Sequence, residues 1–131
     1  MPHAPEKILE IATAYTAAWN SGSPDAVASF YAADGHIVIN RGDPWQDRNG
    51  VAAMAAGFFA DVPDLSLRMD ALRAAGDHAA YFWTFTGTHS GTNNQLKISG
   101  WEEWDLDGDL KVKASRGWFD ADNYARQTAG G

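Results

Sequence analysis

The sequence predicts an α+β protein, with three helices followed by an antiparallel meander of strands and a short final helix. Two observations carry this prediction. Apolar residues recur at three- and four-residue steps in the first half, and from Leu65 onward they alternate in runs separated by Gly, Asn and Asp. No repeat or linker interrupts this order. We therefore expect residues 1–131 to form one domain with its ordered core over residues 4–127, the helices packing on one face of the sheet.

Composition excludes several classes of function. The chain has 131 residues, no cysteine and a net charge of −7, which leaves no thiol chemistry, disulfide or thiolate metal site. Its ten Lys and Arg residues are scattered, so nucleic-acid binding is not expected. The amino terminus lacks a signal-peptide pattern, and no apolar run reaches the ~20 residues of a membrane span. We expect a cytoplasmic protein without a membrane partner.

Three helices are predicted in the first half of the chain. Apolar positions at helical spacing mark residues 5–20 as the first. The second has Ser23 as its N-cap and Pro24 at its first position, and the pattern places Gly35 just past its end. The short strand-like run "HIVIN" and a turn-rich segment follow. The third helix is "GVAAMAAGFFADVPD", which stops before Pro63.

Four strands are predicted in the second half, over "LSLRMDALRAAG", "HAAYFWTFTGTH", "LKISGWEEWDL" and "LKVKASRGWF". Asp107-Gly108 indicates a tight hairpin between the last two. The same "DLDGDL" stretch holds a fragment of a calcium-loop pattern but lacks the remaining ligands. The end of the chain, "DADNYARQTAGG", predicts a short helix and a frayed tail.

Alternation on the third of these strands places a carboxylate beside an indole on each face. Glu102 and Trp104 share the more apolar face, which should meet the helices, and Trp101 and Glu103 share the other. The preceding strand turns Tyr81 and Trp83 inward by the same pattern. The inner set predicted for the last strand is Leu110, Val112, Ala114, Arg116, Trp118 and Asp120.

The interior is thus expected to collect Glu102, Arg116 and Asp120 among tryptophan and tyrosine side chains. Burying charge costs several kcal/mol per ion unless it is paired, so a closed core would not hold two carboxylates. A cleft would. On the opposite face Trp101 and Phe82 form an exposed apolar stripe, and we expect a second copy of the sheet to cover it.

Four phrases in this order resemble the NTF2-like superfamily, specifically its SnoaL-like branch: "AAWNSGSPDAVASFYAADG", "GVAAMAAGFFADVPDL", "WTFTGTHSG" and "WFDADNYARQ". The resemblance implies a cone-shaped, curved sheet around a deep apolar cavity, with the helices on its concave face, and a homodimer through the sheet. Functions in the superfamily include polyketide cyclisation, ketosteroid isomerisation, epoxide hydrolysis, dehydration and ligand binding, so the fold does not decide function.

The resemblance also suggests roles for individual residues. Asp120 falls where SnoaL-like cyclases keep a general acid/base, and Tyr15 lies near the oxyanion-stabilising tyrosine of ketosteroid isomerases. Two departures argue against specific reactions. The isomerase base would fall at Ile39 or Asn40, neither of which is a carboxylate. The "SGWEEW" strand lacks the Arg that limonene-type epoxide hydrolases pair with an Asp.

Each candidate also has a structural interpretation. Asp120 is either a general acid/base with a raised pKa or the N-cap of the last helix, a role open to Asp122 too. Glu102 either transfers protons or forms an ion pair with Arg116. Tyr15 and Trp19, at helical spacing, either pack in the core or line the pocket. The dispersed histidines fit no metal site.

We therefore predict a small homodimeric enzyme that performs cofactor-free isomerisation, cyclisation or dehydration on an apolar cyclic or polyketide-like molecule, without a metal. Asp120 and Glu102 are the predicted ionisable pair. The predicted substrate-binding residues are Tyr15, Trp19, Tyr81, Trp83, His89, Trp104, Arg116 and Trp118. The alternative is a non-catalytic ligand-binding or protein-interaction module with the same fold.

Overall fold

The computed structural model describes residues 4–130 and has the predicted α+β architecture. The helices are α1 (Pro5–Asn20), α2 (Pro24–Ala28), α3 (Asp47–Asp61) and α4 (Ala121–Ala129). The strands are β1 (Tyr31–Ile39), β2 (Trp45–Gln46), β3 (Ser66–Ala75), β4 (His78–Thr88), β5 (Gln95–Leu106) and β6 (Val112–Phe119). No helix within residues 4–130 is both long and apolar enough to cross a membrane.

All six strands belong to one curved sheet with the order β2-β1-β6-β5-β4-β3. Strands β3 to β6 form the predicted antiparallel meander, whereas β1 lies parallel to β6. Helix α1 packs against β3 and helix α3 against β1. These two helices cover one side of the sheet, called here the inner face; the opposite side is the outer face.

The second helix is shorter than the sequence pattern predicts. Ser23 caps it as expected, because its hydroxyl accepts a hydrogen bond from the Ala26 backbone N–H at 3.2 Å. The helix nevertheless ends at Ala28, and β1 begins at Tyr31, so the predicted extension to Gly35 is wrong. A Cβ at Gly35 would lie 2.6 Å from the Val112 carbonyl oxygen. The glycine therefore serves the close approach of β6 and not a helix end.

The predicted hairpin between β5 and β6 is confirmed. An Asp107 side-chain oxygen accepts backbone hydrogen bonds from Asp109 at 2.8 Å and from Lys111 at 3.0 Å. Leu110 takes a left-handed conformation with φ 62°. At the other end of the chain, the predicted last helix is α4 (Ala121–Ala129). It closes at Gly130, which has φ 87°.

A β-bulge immediately after this hairpin changes which side chains of β6 face inward. Leu106 pairs with Val112 and Asp105 pairs with Ala114, so Lys113 has no partner on β5. One extra residue in a strand moves every later side chain to the opposite face. From here to its end, the strand therefore has the reverse of the predicted alternation.

The consequence falls on four residues of β6. Ser115 is fully buried and Gly117 is also buried, although both were predicted to face outward. Arg116 and Trp118, predicted to face inward, follow the outward alternation. The sequence did carry one signal of this change. Phe119 is a large apolar residue in the set predicted to face solvent, and the bulge lets Val112 and Phe119 both pack against the core.

Candidate functional site

A cavity of about 50 Å³ lies between the inner face of the sheet and helices α1 and α3. Its walls are mostly aromatic and aliphatic. The lining residues are Trp19, Ile37, Ile39, Met54, Phe58, Leu65, Leu67, Trp83, Phe85, Glu102, Gly117, Trp118 and Phe119. Within the described chain, Glu102 is the only ionisable side chain among them. The cavity therefore presents one carboxyl group in otherwise apolar surroundings.

Aromatic rings pack edge to face, tilted or stacked around this cavity. The ring centroid of Phe58 lies 6.1 Å from that of Trp19 and 6.1 Å from that of Phe119. Trp83 lies 6.4 Å from Phe119 and stacks on Phe85 at 6.0 Å. Such contacts are favourable for aromatic quadrupoles and hold the rings in a few orientations. The walls beside Glu102 are thus largely aromatic.

Glu102 sits in the middle of β5 and is 7% exposed. Its Oε1 accepts hydrogen bonds from the Trp104 indole at 2.9 Å and the Ser115 hydroxyl at 3.2 Å. The Tyr15 hydroxyl donates to both oxygens, at 3.1 and 3.2 Å, and the Tyr31 hydroxyl lies 3.4 Å from Oε1. Four side chains from three strands and one helix therefore converge on one carboxyl group.

Burial raises the pKa of Glu102, and the hydrogen bonds from Trp104, Tyr15, Ser115 and Tyr31 offset part of that rise. Burial likewise raises the pKa of the Tyr15 and Tyr31 hydroxyls, and the nearby carboxylate adds to the effect. Both tyrosines accordingly remain protonated and keep their role as donors. The group at the cavity floor is thus an acid held in its neutral form to a higher pH than a solvated glutamate.

The two oxygens of Glu102 differ in how many donors they meet. Oε1 is approached by Tyr15, Tyr31, Trp104 and Ser115, whereas Oε2 meets only Tyr15 among the described residues. A carboxylate can accept about four hydrogen bonds over its two oxygens. Oε2 is therefore the oxygen with free capacity for a ligand or a proton.

The predicted substrate-binding residues divide into two groups. Trp19, Trp83 and Trp118 border the cavity. Trp118 does so from a strand position that follows the outward alternation of β6. Tyr15, Tyr81, Trp104 and His89 are not among its lining residues. Tyr81 and Trp104 are buried and stack on each other at 5.0 Å, and His89 packs edge-on against Tyr124 at 6.5 Å. Tyr15 reaches the site only through its hydrogen bonds to Glu102.

Arg116 lies on the outer face, so its predicted inward position is wrong. It contacts Glu103 at 3.6 Å and Asp105 at 3.6 Å, and its side chain is 45% exposed. The predicted alternative of an ion pair between Arg116 and Glu102 is wrong for the same reason, the bulge at Lys113. Glu102 is instead satisfied by neutral donors.

Asp120 is exposed and does not project inward beside Glu102 as predicted. It is the N-cap of α4, and its side chain accepts a hydrogen bond from the Asn123 backbone N–H at 2.9 Å. Strand β6 ends at Phe119, so strand alternation no longer applies at the next residue. The structural interpretation of Asp120 is the observed one, and the predicted pair of inner carboxylates is reduced to Glu102.

Sequence reasoning missed Tyr31 and Ser115 beside the Glu102 carboxyl group, and it missed most of the cavity wall, including Ile37, Ile39 and Gly117. Tyr31 fell within the predicted second helix, and Ser115 and Gly117 were predicted to face outward. No local pattern identifies Tyr31, because its neighbours "FYAADG" fit a helix equally well. Within residues 4–130, no group of three or more His, Asp or Glu side chains is placed to hold a metal ion.

Comparison with known proteins gives one family and many similar folds. The family model described as SnoaL-like domain matches residues 12–114 of the chain. Among curated proteins, none matches this sequence significantly. Solved structures are similar to it over nearly the whole chain, at identities that show the fold alone.

Three of these structures illustrate the range. A hypothetical protein from Catenulispora acidiphila with a ketosteroid isomerase-like fold, in complex with trimethylamine, has a TM-score of 0.84 at 21% identity, covering 92% of both chains. AclR from Streptomyces galilaeus, assigned as a hydroxylase, has a TM-score of 0.83 at 18% identity, covering 97% of this chain and 98% of that one. A protein from Jannaschia sp. CCS1, assigned as a SnoaL-like polyketide cyclase, has a TM-score of 0.85 at 13% identity, covering 100% and 99%.

Proposed function

We propose a function for this chain from the premise that it belongs to the SnoaL-like domain family. It binds a small apolar carbonyl compound in the cavity and moves a proton to or from carbon without a cofactor. Glu102 is the acid/base. The observation that carries this proposal is the isolation of Glu102 as the one ionisable group, within the described chain, among apolar cavity walls.

The proposed step needs only one carboxyl group. The ionised Glu102 accepts a proton at Oε2 from the carbon next to the carbonyl. The electron pair of the broken C–H bond forms a C=C bond as the carbonyl π pair moves to oxygen, which gives an enolate. Returning the proton to the same or another carbon completes an exchange or an isomerisation. A pKa raised toward the working pH suits such a group, and general acid–base catalysis contributes about 10²–10⁴-fold.

The size of the cavity limits the ligand. At about 50 Å³ it is far smaller than the ~300–1,000 Å³ of sites that hold drug-sized molecules. We therefore propose a ligand of a few heavy atoms. A polycyclic polyketide would fit only if the aromatic walls moved apart.

A second candidate is non-catalytic binding of a small alkylammonium ion. Aromatic faces attract such cations, and Glu102 would supply the opposite charge. The Catenulispora acidiphila structure with the same fold was solved in complex with trimethylamine. The small size of the ion and the aromatic lining of the cavity both support this candidate. Cation binding, however, leaves the proton-transfer capacity of Glu102 without a role.

We also propose that two copies associate through the outer face of the sheet. Trp101 is 40% exposed there, and its ring packs against that of Phe82 at 6.4 Å. Trp101 is also the register partner of Trp118 on β6. An aromatic row on a sheet face is apolar surface that a second sheet would bury.

Deuterium exchange distinguishes the candidates. The α-protons of butanone are followed by ¹H NMR in D₂O with wild-type protein, Glu102→Gln and the matched control Glu103→Gln. We expect wild type and Glu103→Gln to accelerate exchange above buffer, and Glu102→Gln to lose about 10²–10⁴-fold of that acceleration. Backbone ¹H–¹⁵N spectra confirm that each variant is folded.

Exchange at the buffer rate with folded wild-type protein would overturn the catalytic proposal. Titration calorimetry with trimethylammonium chloride then tests the second candidate. Binding by wild type that is lost in Glu102→Gln would support a cation-binding cavity. Absence of binding would overturn that candidate as well.

A further inference from the structure

Four glycines lie in the strands of the described chain, and three of them are required by packing. A Cβ would lie 2.6 Å from the nearest heavy atom at Gly35, 2.3 Å at Gly87 and 2.2 Å at Gly100. Side chains cannot be added at such distances unless neighbours move. These three glycines are therefore explained by the fold itself.

Gly117 is different. A Cβ there would meet Ile39 at 3.7 Å, the Glu102 Cγ at 3.8 Å and Ile37 at 3.8 Å, which are ordinary van der Waals contacts. Its φ is not in the left-handed region, so alanine would adopt the same backbone. Glycine within a strand costs about 0.5–1 kcal/mol relative to alanine. The fold therefore gives no reason for a glycine at this position.

The cavity does give a reason. Gly117 is the register partner of Glu102 across β5 and β6, and both residues line the cavity together with Ile37 and Ile39. A methyl group at position 117 would occupy the space next to the Glu102 side chain. Its absence keeps that space open in a cavity of only about 50 Å³.

We propose that Gly117 determines specificity by admitting only a slim end of the ligand to Glu102. This inference rests on the proposed function. The group over Gly117 is an unbranched CH₃ or CH₂ next to the carbonyl, and any branched or bulkier part of the ligand lies toward the aromatic walls. Substrates with a branch at the reacting carbon are excluded by the Ile37 and Ile39 side chains.

The test substitutes Gly117→Ala and compares it with Gly57→Ala. Gly57 lies in α3 with nothing within 4 Å of its Cβ position, so it controls for replacing a glycine away from the cavity. The probes are acetone, butanone and 3-methylbutan-2-one, followed separately at each α-carbon by deuterium exchange. One added methylene-sized group in an apolar pocket is worth about 10–200-fold in discrimination.

We expect wild type to exchange the methyl and methylene positions and to leave the branched CH of 3-methylbutan-2-one at the buffer rate. Gly117→Ala should reduce exchange about 10–200-fold, more at the methylene of butanone than at the methyl of acetone. Gly57→Ala should match wild type. Unchanged exchange in Gly117→Ala, or an equal loss at every position, would overturn the specificity role while leaving the catalytic proposal intact.

If wild type exchanges no probe, the catalytic proposal fails, and binding decides the role of Gly117. Ketone titrations are then followed by tryptophan fluorescence, since Trp19 and Trp83 line the cavity. Weaker binding by Gly117→Ala, and more so for the branched ketone, supports the specificity role. Equal affinities in wild type and Gly117→Ala, or no binding to wild type, overturn it.

Discussion

Two neighbouring pairs of residues on β5 make the same hydrogen bond on opposite faces of the sheet. The Trp104 indole donates to Glu102 at 2.9 Å on the inner face, and the Trp101 indole donates to Glu103 at 2.9 Å on the outer face. The pairs differ in their surroundings. Trp104 is 1% exposed and Trp101 is 40% exposed.

Burial, and not the Trp–Glu hydrogen bond itself, determines what each carboxylate can do. Glu103 has water and the Arg116 guanidinium, 3.6 Å away, as further partners. Glu102 is only 7% exposed and forms no ion pair with a described residue, and a buried carboxylate without donors would cost several kcal/mol. Tyr15, Tyr31 and Ser115 supply those donors from α1, β1 and β6. Only the inner pair requires the rest of the fold.

The largest effect we expect comes from removing the two indole donors in turn. Trp104→Phe should lower the free energy of unfolding by about 2 kcal/mol or more, because it removes buried volume and a donor to Glu102. Trp101→Phe should change it by less than about 0.5 kcal/mol. Urea denaturation at one low protein concentration measures both. Equal losses would mean that the two pairs are energetically equivalent.

Glu102 should also make the stability of the fold depend on pH. The pKa of Glu102 is raised in the folded state above its ordinary 4.5, so the folded protein holds this proton more tightly than the unfolded chain. Stability from this group is therefore greatest below about pH 4.5 and falls as pH rises through the folded pKa. Glu102→Gln should lack that fall.

The measurement is the free energy of unfolding between pH 4 and pH 8 for wild type, Glu102→Gln and Glu103→Gln. Asp64 and Asp70 have lowered pKa values and contribute the opposite trend, but they are common to all three proteins. As pH rises, the free energy of unfolding of wild type should fall relative to that of Glu102→Gln. A constant difference would contradict the raised pKa of Glu102.

Trp101→Lys should affect association more than fold stability. Trp101 is 40% exposed, so at a protein concentration where wild type is monomeric the free energy of unfolding should change by about 1 kcal/mol or less. Association should change strongly, because a charge would enter the proposed interface. Sedimentation velocity should show a dimer for wild type and a monomer for Trp101→Lys. A monomeric wild type would contradict the proposed dimer.

A helix start, a hairpin and the faces of one strand could be predicted from the sequence, because each depends on local interactions. Ser23 before Pro24 predicted a helix start, and Asp107-Gly108 predicted a hairpin; both depend on backbone groups a few residues away. Alternation across residues 101–104 assigned Glu102 and Trp104 to the inner face, since one strand without a bulge keeps a period of two.

Other parts depended on contacts between distant segments. The end of α2 at Ala28 and the start of β1 reflect the pairing of Tyr31 with Val112, which overrides a helical pattern in the local sequence. The bulge at Lys113 moved Arg116 outward and Ser115 inward, because one unpaired residue reverses a period of two.

The sequence by itself determined the α+β class, the order of the main helices and the meander strands, and a carboxylate-indole pair on each face, because propensity and periodicity act within a few residues. Only the tertiary structure decided that Glu102 stands alone in the cavity and that Asp120 caps a helix instead of joining it. Those outcomes depend on which strand positions lie opposite each other, and register is set by pairing between segments far apart in the chain.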